Sequence, residues 1–300
     1  CRQKSSGRQC VMKRMQLNSL NDKERHAALQ EAQLLQQLKH PNVVAYVDMH
    51  ATRSKLFLFM QYCDGGDLEQ RLNGHKKNGT YVHESQMLDW FVQMALALQY
   101  LHDKRILHRD LKTANIFLTR ANIVKLGDFG VSRVLSATAE LAKTFVGTPY
   151  YLSPELLSNL PYGPASDVWA LGCILYEIAT LEHPFDAKNF PSLATKIVNT
   201  EPEPIANVRP AFAGGDVRAL DELFRGMILK QPASRAPLSQ LLSAPIVQRR
   251  MLDFVREADP AAPMVDGGAK AAPPPPPPPK QQQASRSRTG AAAAREPAPM

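Results

Sequence analysis

The sequence predicts an α+β fold, in which a small β-sheet with one helix is followed by a larger, mainly helical part. Two observations lead to this prediction. Residues 1–60 contain three short runs rich in apolar, β-branched and aromatic residues, which is typical of strands: Val11–Met15, Val43–Met49 and Lys55–Met60. From residue 84 onward, longer segments repeat their apolar residues at the spacing of one helix face.

The helix of the small part is expected between the first two strands, in the segment NDKERHAALQEAQLLQQLKHP. Asn21 followed by Glu24 has the pattern of a capping box at its start, and Pro41 marks its stop. Its inward-facing stripe includes a carboxylate, Glu31, which needs a cationic partner if it is buried. Lys13, on the preceding strand, is available as that partner.

Two long helices are expected in the larger part. The segment 84–103 carries one apolar face, and Ser166–Leu181 is apolar almost all round, which predicts a buried central helix. Between them lie two short apolar runs, Ile116–Leu118 and Ile123–Leu126, each next to a polar cluster. The runs predict a small hairpin that presents polar side chains at one end, as functional sites often do.

Composition and charge argue against several classes of protein. The net charge of +8 is not concentrated in one block, so we expect no nucleic-acid partner. No apolar run approaches the length of a membrane span, and no signal peptide is visible. Four cysteines are too scattered for a disulfide framework or a zinc site: Cys1, Cys10, Cys63 and Cys173. We therefore expect an intracellular, cytoplasmic protein, with the nucleus or cytoskeleton as alternatives.

The composition changes near the C-terminus. Residues 256–300 hold 11 of the 24 prolines and few large apolar residues, so we expect a disordered Pro/Ala/Gln-rich tail. Its run Pro273–Pro279 would be extended and stiff. That run is either a spacer or a ligand for a polyproline-binding domain.

The polar clusters beside the predicted hairpin, HRDLKTAN and GDFG, hold a specific set of groups. Asp110, Asn115 and Asp128 supply oxygen ligands suited to magnesium, together with a base, while Lys112 and Lys13 supply positive charge. Phosphoryl transfer needs this combination, because it depends on positioning and on neutralising charge. A polar surface loop is the alternative for any one cluster taken alone.

Five motifs in order carry a resemblance to a known family: MQYCDGGDL, HRDLKTANIF, KLGDFGVSR, GTPYYLSPEL and SDVWALGCILYE. They are similar to those of eukaryotic serine/threonine protein kinases and, more narrowly, of the NIMA-related (NEK) group. The resemblance implies a bilobal protein-kinase domain over residues 1–255 that uses ATP and Mg²⁺ to phosphorylate serine and threonine hydroxyls of proteins. It also implies that Asp167 anchors the backbone of the catalytic loop from a buried position, and that Glu155 pairs with Arg235.

The resemblance assigns roles residue by residue. Asp110 would accept the proton of the substrate hydroxyl, Lys112 would stabilise the transferring phosphoryl group, and Asn115 and Asp128 would bind magnesium. For ATP it implies phosphate contacts from Lys13 paired with Glu31, a gatekeeper at Met60, adenine contacts from Gln61, Cys63, Val11 and Phe117, and a ribose contact from Asp67. We expect Cys63 to be an unreactive thiol.

Two threonines of the segment after GDFG have expected roles. Thr148 of GTPYY would hydrogen-bond Asp110 and Lys112, a feature of kinases that act on serine and threonine. Thr144 is the expected regulatory phosphorylation site, because its phosphate would pair with Arg109 and order the segment.

One departure from the family pattern lies at the start of the sequence. Only twelve residues precede Lys13, and they hold one glycine, Gly7. We expect that the first strand and the glycine-rich loop of the kinase domain are missing, and that residues 1–300 alone bind Mg·ATP poorly. Two function classes stay open: an active kinase, and a kinase-like pseudoenzyme or scaffold that acts through binding and its proline-rich tail.

Overall fold

The computed structural model describes residues 1–18, 20–128, 149–209 and 216–258, except for the side chains at positions 23, 27, 31 and 255–258. Its small part is a three-stranded antiparallel sheet with the order β1–β3–β2. The strands are β1 (Cys10–Gln16), β2 (Tyr46–Ala51) and β3 (Lys55–Gln61). The predicted first and third strands are confirmed to within a residue at either end.

The second strand begins later than the sequence predicts. Val43 and Val44 were assigned to it, but both are buried in the segment ahead of β2. The main-chain N–H of Val44 donates to the carbonyl of Leu126, 2.8 Å away. The apolar character of these valines thus reflects burial where the sheet meets the rest of the chain, and not membership of a strand.

Helix α1 (Asp22–Gln36) lies between β1 and β2, as predicted. Its capping box is confirmed: the Asn21 side chain accepts from the Glu24 N–H at 2.9 Å, and the Glu24 carboxylate accepts from the Asn21 N–H at 3.1 Å. The helix ends at Gln36, ahead of the predicted stop at Pro41.

The larger part is mainly helical, which confirms the α+β prediction. It contains the predicted hairpin as strands β4 (Ile116–Leu118) and β5 (Val124–Leu126), which pair antiparallel. The helices are α2 (Leu68–Asn78), α3 (Glu84–Asp103), α4 (Pro154–Leu157), α5 (Pro164–Thr180), α6 (Phe190–Asn199), α7 (Ile205–Val208), α8 (Val217–Met227), α9 (Leu238–Leu242) and α10 (Pro245–Ala258).

Helix α5 forms the centre of the larger part. Every residue from Ser166 to Thr180 is buried, which confirms the prediction from its all-round apolar sequence. Trp169 of α5 stacks on Phe185 with ring centroids 5.8 Å apart. Helix α3 packs against α5 and buries Trp90 and Phe91.

Helix α10 runs to Ala258, whereas the sequence placed the end of the domain at residue 255. The proline run and the remainder of the expected tail lie outside the described residues. In the part of the chain that the structure describes, no helix combines the length and the apolar character needed to cross a bilayer.

Candidate active site

A cavity of about 430 Å³ lies between the sheet and the β4–β5 hairpin. It is lined by all of the residues for which the family resemblance implies a direct nucleotide contact: Val11, Lys13, Met60, Gln61, Cys63, Asp67 and Phe117. Asp128, a predicted magnesium ligand, also lines it. Four further lining residues were not predicted: Met12, Val44, Tyr62 and Gly66.

The floor of the cavity is apolar and closely packed. Val44, Met60 and Cys63 form a small buried cluster, against which Phe117 packs. Gly127 is required beside it, because a Cβ there would come within 2.7 Å of the Phe117 ring and 2.9 Å of Val44. Val44 was missed because the sequence placed it inside a strand, where alternation alone does not show which face meets the cavity.

Cys63 faces this apolar surface, and its side chain is buried. Burial raises the pKa of its thiol, an effect that the nearby Lys125 opposes and Asp64 reinforces. A thiol whose pKa is raised carries little thiolate near neutral pH. The prediction that Cys63 is unreactive is therefore supported by its surroundings.

Asp67 lies at the edge of the cavity but also has a structural role. It is the N-cap of α2, where its carboxylate accepts from the Gln70 main-chain N–H at 2.8 Å and from the Gln70 side chain at 2.6 Å. A ribose contact would have to share this carboxylate with the cap. The sequence predicted only the ribose role.

Lys13 and Asp128 form an ion pair across the cavity. The Lys13 ammonium donates to Asp128 Oδ1 at 2.7 Å, and both side chains are partly exposed. Asp128 has a positive φ of 53°, an uncommon backbone conformation that turns the chain at the end of β5. The predicted partner of Lys13, Glu31, belongs to α1, and its side chain lies outside the described part of the structure. The Lys13–Glu31 pair therefore stays a prediction.

A second polar cluster precedes β4. Asp110 Oδ2 lies 3.0 Å from the Lys112 ammonium. The Asn115 amide nitrogen donates to the Asp110 carboxylate and to the Asp110 carbonyl, each at 2.8 Å. Because these bonds use the side-chain nitrogen, the side-chain oxygen of Asn115, Oδ1, is the atom suited to meet a cation.

The two clusters are joined through the backbone. The Gly127 N–H, next to Asp128, donates to the main-chain carbonyl of Asn115 at 3.1 Å. This bond continues the β4–β5 hairpin beyond its last strand pair, Ile116 with Leu126. The hairpin therefore brings Asp110, Asn115 and Asp128 to one end, as the sequence predicted for its flanking polar groups.

The loop that carries Asp110 is held from behind by Asp167 of α5. This carboxylate is fully buried and accepts from the main-chain N–H groups of His108 at 3.0 Å and Arg109 at 3.2 Å. It also accepts from the His102 ring at 2.8 Å and from the Tyr162 hydroxyl. Burial acts to raise the pKa of Asp167, but these donors outweigh it and hold the pKa below its usual value. The prediction of a buried anchor is confirmed.

The predicted Glu155–Arg235 pair is also confirmed. The guanidinium makes two hydrogen bonds of 2.7 Å to the carboxylate, and both residues are buried. Burial opposes ionisation of Glu155, yet the hydrogen bonds from Arg235 and Ser166 lower its pKa overall. The pair connects α4 to the segment ahead of α9.

A polar chain behind the Asp110 cluster was not predicted. The Thr113 hydroxyl lies 2.9 Å from the Tyr151 hydroxyl, which donates to Glu177 Oε2 at 2.5 Å. Glu177 belongs to α5, and burial raises its pKa to about 7. No sequence pattern indicates this series of hydrogen bonds, because its three members come from separate elements.

Thr144 and Thr148, the predicted regulatory and substrate-side threonines, lie in 129–148, outside the described residues. Arg109 lies within the described residues. Its backbone φ is +65°, and its main-chain N–H donates to the Asp167 carboxylate.

Comparison with known proteins gives a consistent result. The family model described as "Protein kinase domain" matches residues 1–247. The chain is 47% identical over 250 residues to the serine/threonine-protein kinase Nek4 of Mus musculus. The matched residues make up 83% of this chain and 30% of that protein. It is 43% identical over 249 residues to Nek1 of Mus musculus (83% and 20%) and 42% identical over 246 residues to Nek5 of Homo sapiens (82% and 34%). The chain thus spans about a third or less of the length of these relatives.

Proposed function

Since the chain belongs to the protein kinase domain family, we propose that it transfers the γ-phosphoryl group of ATP to serine and threonine hydroxyls of proteins. The observation that carries this proposal is the convergence of the Lys13–Asp128 pair and the Asp110–Asn115 cluster at one end of an apolar cavity. The predicted likeness to the NEK group is confirmed, because the relatives named above are Nek serine/threonine kinases.

We assign the apolar part of the cavity to adenine. Val11 and Phe117 would contact its two faces, and Met60 would limit the depth of the pocket. The Gln61 carbonyl and the Cys63 N–H would hydrogen-bond its edge, while Asp67 would contact the ribose. Lys13 would then bind the α- and β-phosphates, because its ammonium lies at the polar end of the cavity beside Asp128.

The polar end suits a magnesium ion. Mg²⁺ is usually held by one or two carboxylates together with phosphate oxygens and water. Among the described residues there is no group of three or more His, Cys, Asp or Glu that could hold a metal by itself. Asp128 and the side-chain oxygen of Asn115 would therefore hold the ion jointly with the nucleotide. The ion would offset the negative charge of the phosphates.

Asp110 is the proposed base. Its carboxylate is fixed by Asn115 and Lys112 and partly exposed, so a substrate hydroxyl can reach it. Asp110 would orient that hydroxyl and accept its proton, and Lys112 would stabilise charge on the transferring group. Thr148 would complete the substrate side. A binding-only pseudoenzyme is disfavoured, because such a protein would need none of these ionisable groups.

We also propose control through the segment after Asp128. Arg109 directly precedes the base, and its backbone is fixed on Asp167. A phosphate on Thr144 would form a charge-assisted pair with Arg109 and so connect the segment to the loop that carries Asp110. Phosphopeptide mapping with Thr144→Ala kinetics tests this, with Thr138→Ala as control; full activity of Thr144→Ala would contradict it.

The proposed function is tested by transfer from γ-labelled ATP, with Mg²⁺, to a generic protein substrate, followed by phosphoamino-acid analysis. We expect labelled phosphoserine and phosphothreonine. Lys13→Met should abolish labelling, whereas Lys39→Met, at an exposed position outside the cavity, should retain it. Nucleotide binding without transfer would favour the binding-only alternative, and label on tyrosine would overturn the assigned specificity.

A further inference from the structure

Two of the four cysteines lie side by side in a hairpin that leads into β1. The main-chain nitrogen of Cys1 donates to the Cys10 carbonyl at 3.0 Å, and the Cys10 N–H donates to the Cys1 carbonyl at 3.0 Å. Pairing continues through a bridge between Arg2 and Gln9, and the turn contains Gly7 with a φ of +68°. Cys1 and Cys10 are therefore directly opposite residues that exchange both hydrogen bonds of an antiparallel pair.

Their side chains point to the same side and meet. The two Sγ atoms are 3.0 Å apart, although both cysteines are free thiols in this structure. Cα atoms of such a hydrogen-bonded pair are about 5.5 Å apart, inside the range of about 4.4–6.8 Å that disulfides accept. A covalent S–S bond of about 2.04 Å would require the sulfurs to approach by only about 1 Å, without any change of strand register.

Exposure separates the roles of the two thiols. Cys1 is exposed and Cys10 is buried, so we assign Cys1 as the thiol that meets the oxidant first. This is the arrangement of a thiol that is oxidised first and a neighbour that resolves the product. Strained or exposed disulfides are also the ones that reduce readily, which suits a reversible bond.

We propose that Cys1 and Cys10 are a redox modification site, which a peroxide converts to an intramolecular disulfide. The Cys1 thiolate attacks one peroxide oxygen, the O–O bond breaks, and hydroxide leaves to give Cys1 sulfenic acid. The Cys10 thiolate then attacks the Cys1 sulfur and expels a second hydroxide, which takes up a proton to become water. In total, two thiols and one hydrogen peroxide give one disulfide and two waters, and a dithiol reductant reverses the reaction.

The other two cysteines are poor competitors for this reaction. Cys63 is buried in the floor of the cavity and Cys173 is buried in α5. Burial raises the pKa of both thiols, which suppresses the reactive thiolate. Oxidation should therefore be selective for the hairpin.

The disulfide would act on the strand that borders the cavity. Val11 and Lys13 follow Cys10 on β1, and both line the cavity. A bond between Cys1 and Cys10 closes the hairpin covalently and restricts opening of the strand's first residues. We expect amide hydrogen exchange in residues 2–9 to slow by about tenfold or more on oxidation. The thiol reaction itself does not rest on the proposed kinase activity.

The test treats the whole chain with hydrogen peroxide, blocks remaining thiols with an alkylating agent and maps peptides without reduction. We expect a linked Cys1–Cys10 peptide that is two hydrogens lighter than the reduced pair and that dithiothreitol restores, with Cys63 and Cys173 alkylated. Cys10→Ser should abolish the link, while Cys173→Ala should retain it.

Three results would overturn the proposal. In the first, Cys1 and Cys10 are both alkylated after a peroxide dose that oxidises exposed model thiols. In the second, Cys1 proceeds to sulfinic acid while Cys10 stays reduced. In the third, the link forms between two chains, which a non-reducing gel would detect. None of these readouts requires phosphoryl transfer, so failure here is distinguishable from failure of the proposed function.

Discussion

The ion pair that lines the cavity and the carboxylate that anchors the Asp110 loop lie in different surroundings. The Lys13 and Asp128 side chains, which face the cavity, are 30% and 35% exposed. Asp167, which fixes the backbone ahead of Asp110, is 0% exposed and accepts four hydrogen bonds from described groups. The side chains that line the cavity are accessible to solvent, whereas the backbone ahead of Asp110 is fixed by a fully buried carboxylate.

The contributions of the Lys13–Asp128 pair and of Asp167 to stability should differ accordingly. A partly exposed ion pair contributes about 0–1 kcal/mol to stability, because water screens its charges. Breaking a buried, hydrogen-bonded charge leaves its partners unsatisfied and costs about 3 kcal/mol or more. The substitutions below are ordered by the size of the effect expected on stability.

The largest effect is expected at the buried anchor. Asp167→Ala removes the acceptor of the His108 and Arg109 N–H groups, so the free energy of unfolding should fall by about 3–5 kcal/mol. Urea unfolding followed by circular dichroism measures this change. Asp103→Ala, at the exposed end of α3, is the matched control and should stay within about 0.5 kcal/mol. Equal stability of the two variants would contradict the anchor role.

The next effect depends on pH and concerns Glu177. Burial raises its pKa to about 7 from the ordinary 4.5, so the folded state binds a proton more tightly than the unfolded state. Its contribution to stability is full below pH 4.5 and is lost as the pH rises through 7. As the pH rises from 4.5 to 7, the wild type should therefore lose up to about 3 kcal/mol of stability relative to Glu177→Gln.

The comparison with Glu177→Gln isolates Glu177 from its neighbour His183. Burial lowers the pKa of His183 to about 4, so His183 also titrates, but it is present in both proteins. Glu182→Gln, at an exposed position in the same region, serves as the charge-matched control. A pH-independent difference between Glu177→Gln and the wild type would show that Glu177 has the same pKa in the folded and unfolded states, and would contradict the raised pKa.

The smallest effect on stability is expected at the ion pair. Lys13→Met should change the free energy of unfolding by less than about 1 kcal/mol, although it should abolish phosphoryl transfer. Denaturant unfolding measures the stability and the transfer assay measures the activity of the same preparations. A loss as large as that of Asp167→Ala would mean that Lys13 supports the fold and would remove the contrast between the ion pair and the buried anchor.

Local patterns predicted much of this architecture. The capping box of α1, the β4–β5 hairpin and the central helix α5 each follow from residues close together in the chain. Motif resemblance supplied the anchor Asp167 and the Glu155–Arg235 pair, which link distant segments. It could not supply the cap role of Asp67, because the same carboxylate serves the helix and the cavity.

The features that escaped prediction depend on three-dimensional register. Val44 was placed in a strand, since a run of apolar residues does not reveal that its first members pack against Leu126. The Thr113–Tyr151–Glu177 chain joins three elements that no sequence pattern relates. The meeting of Cys1 and Cys10 depends on the turn between them, and their separation in sequence gave no sign of it.

The central claim, that Asp110 is the base of a phosphoryl-transfer site, is tested most directly by measuring ATP affinity and turnover on the same Asp110→Asn protein. Asparagine keeps the size of the side chain but cannot accept the hydroxyl proton. We predict that turnover falls by about 10³-fold while the dissociation constant of Mg·ATP stays within about threefold of the wild type. Near-normal turnover of Asp110→Asn would contradict the account.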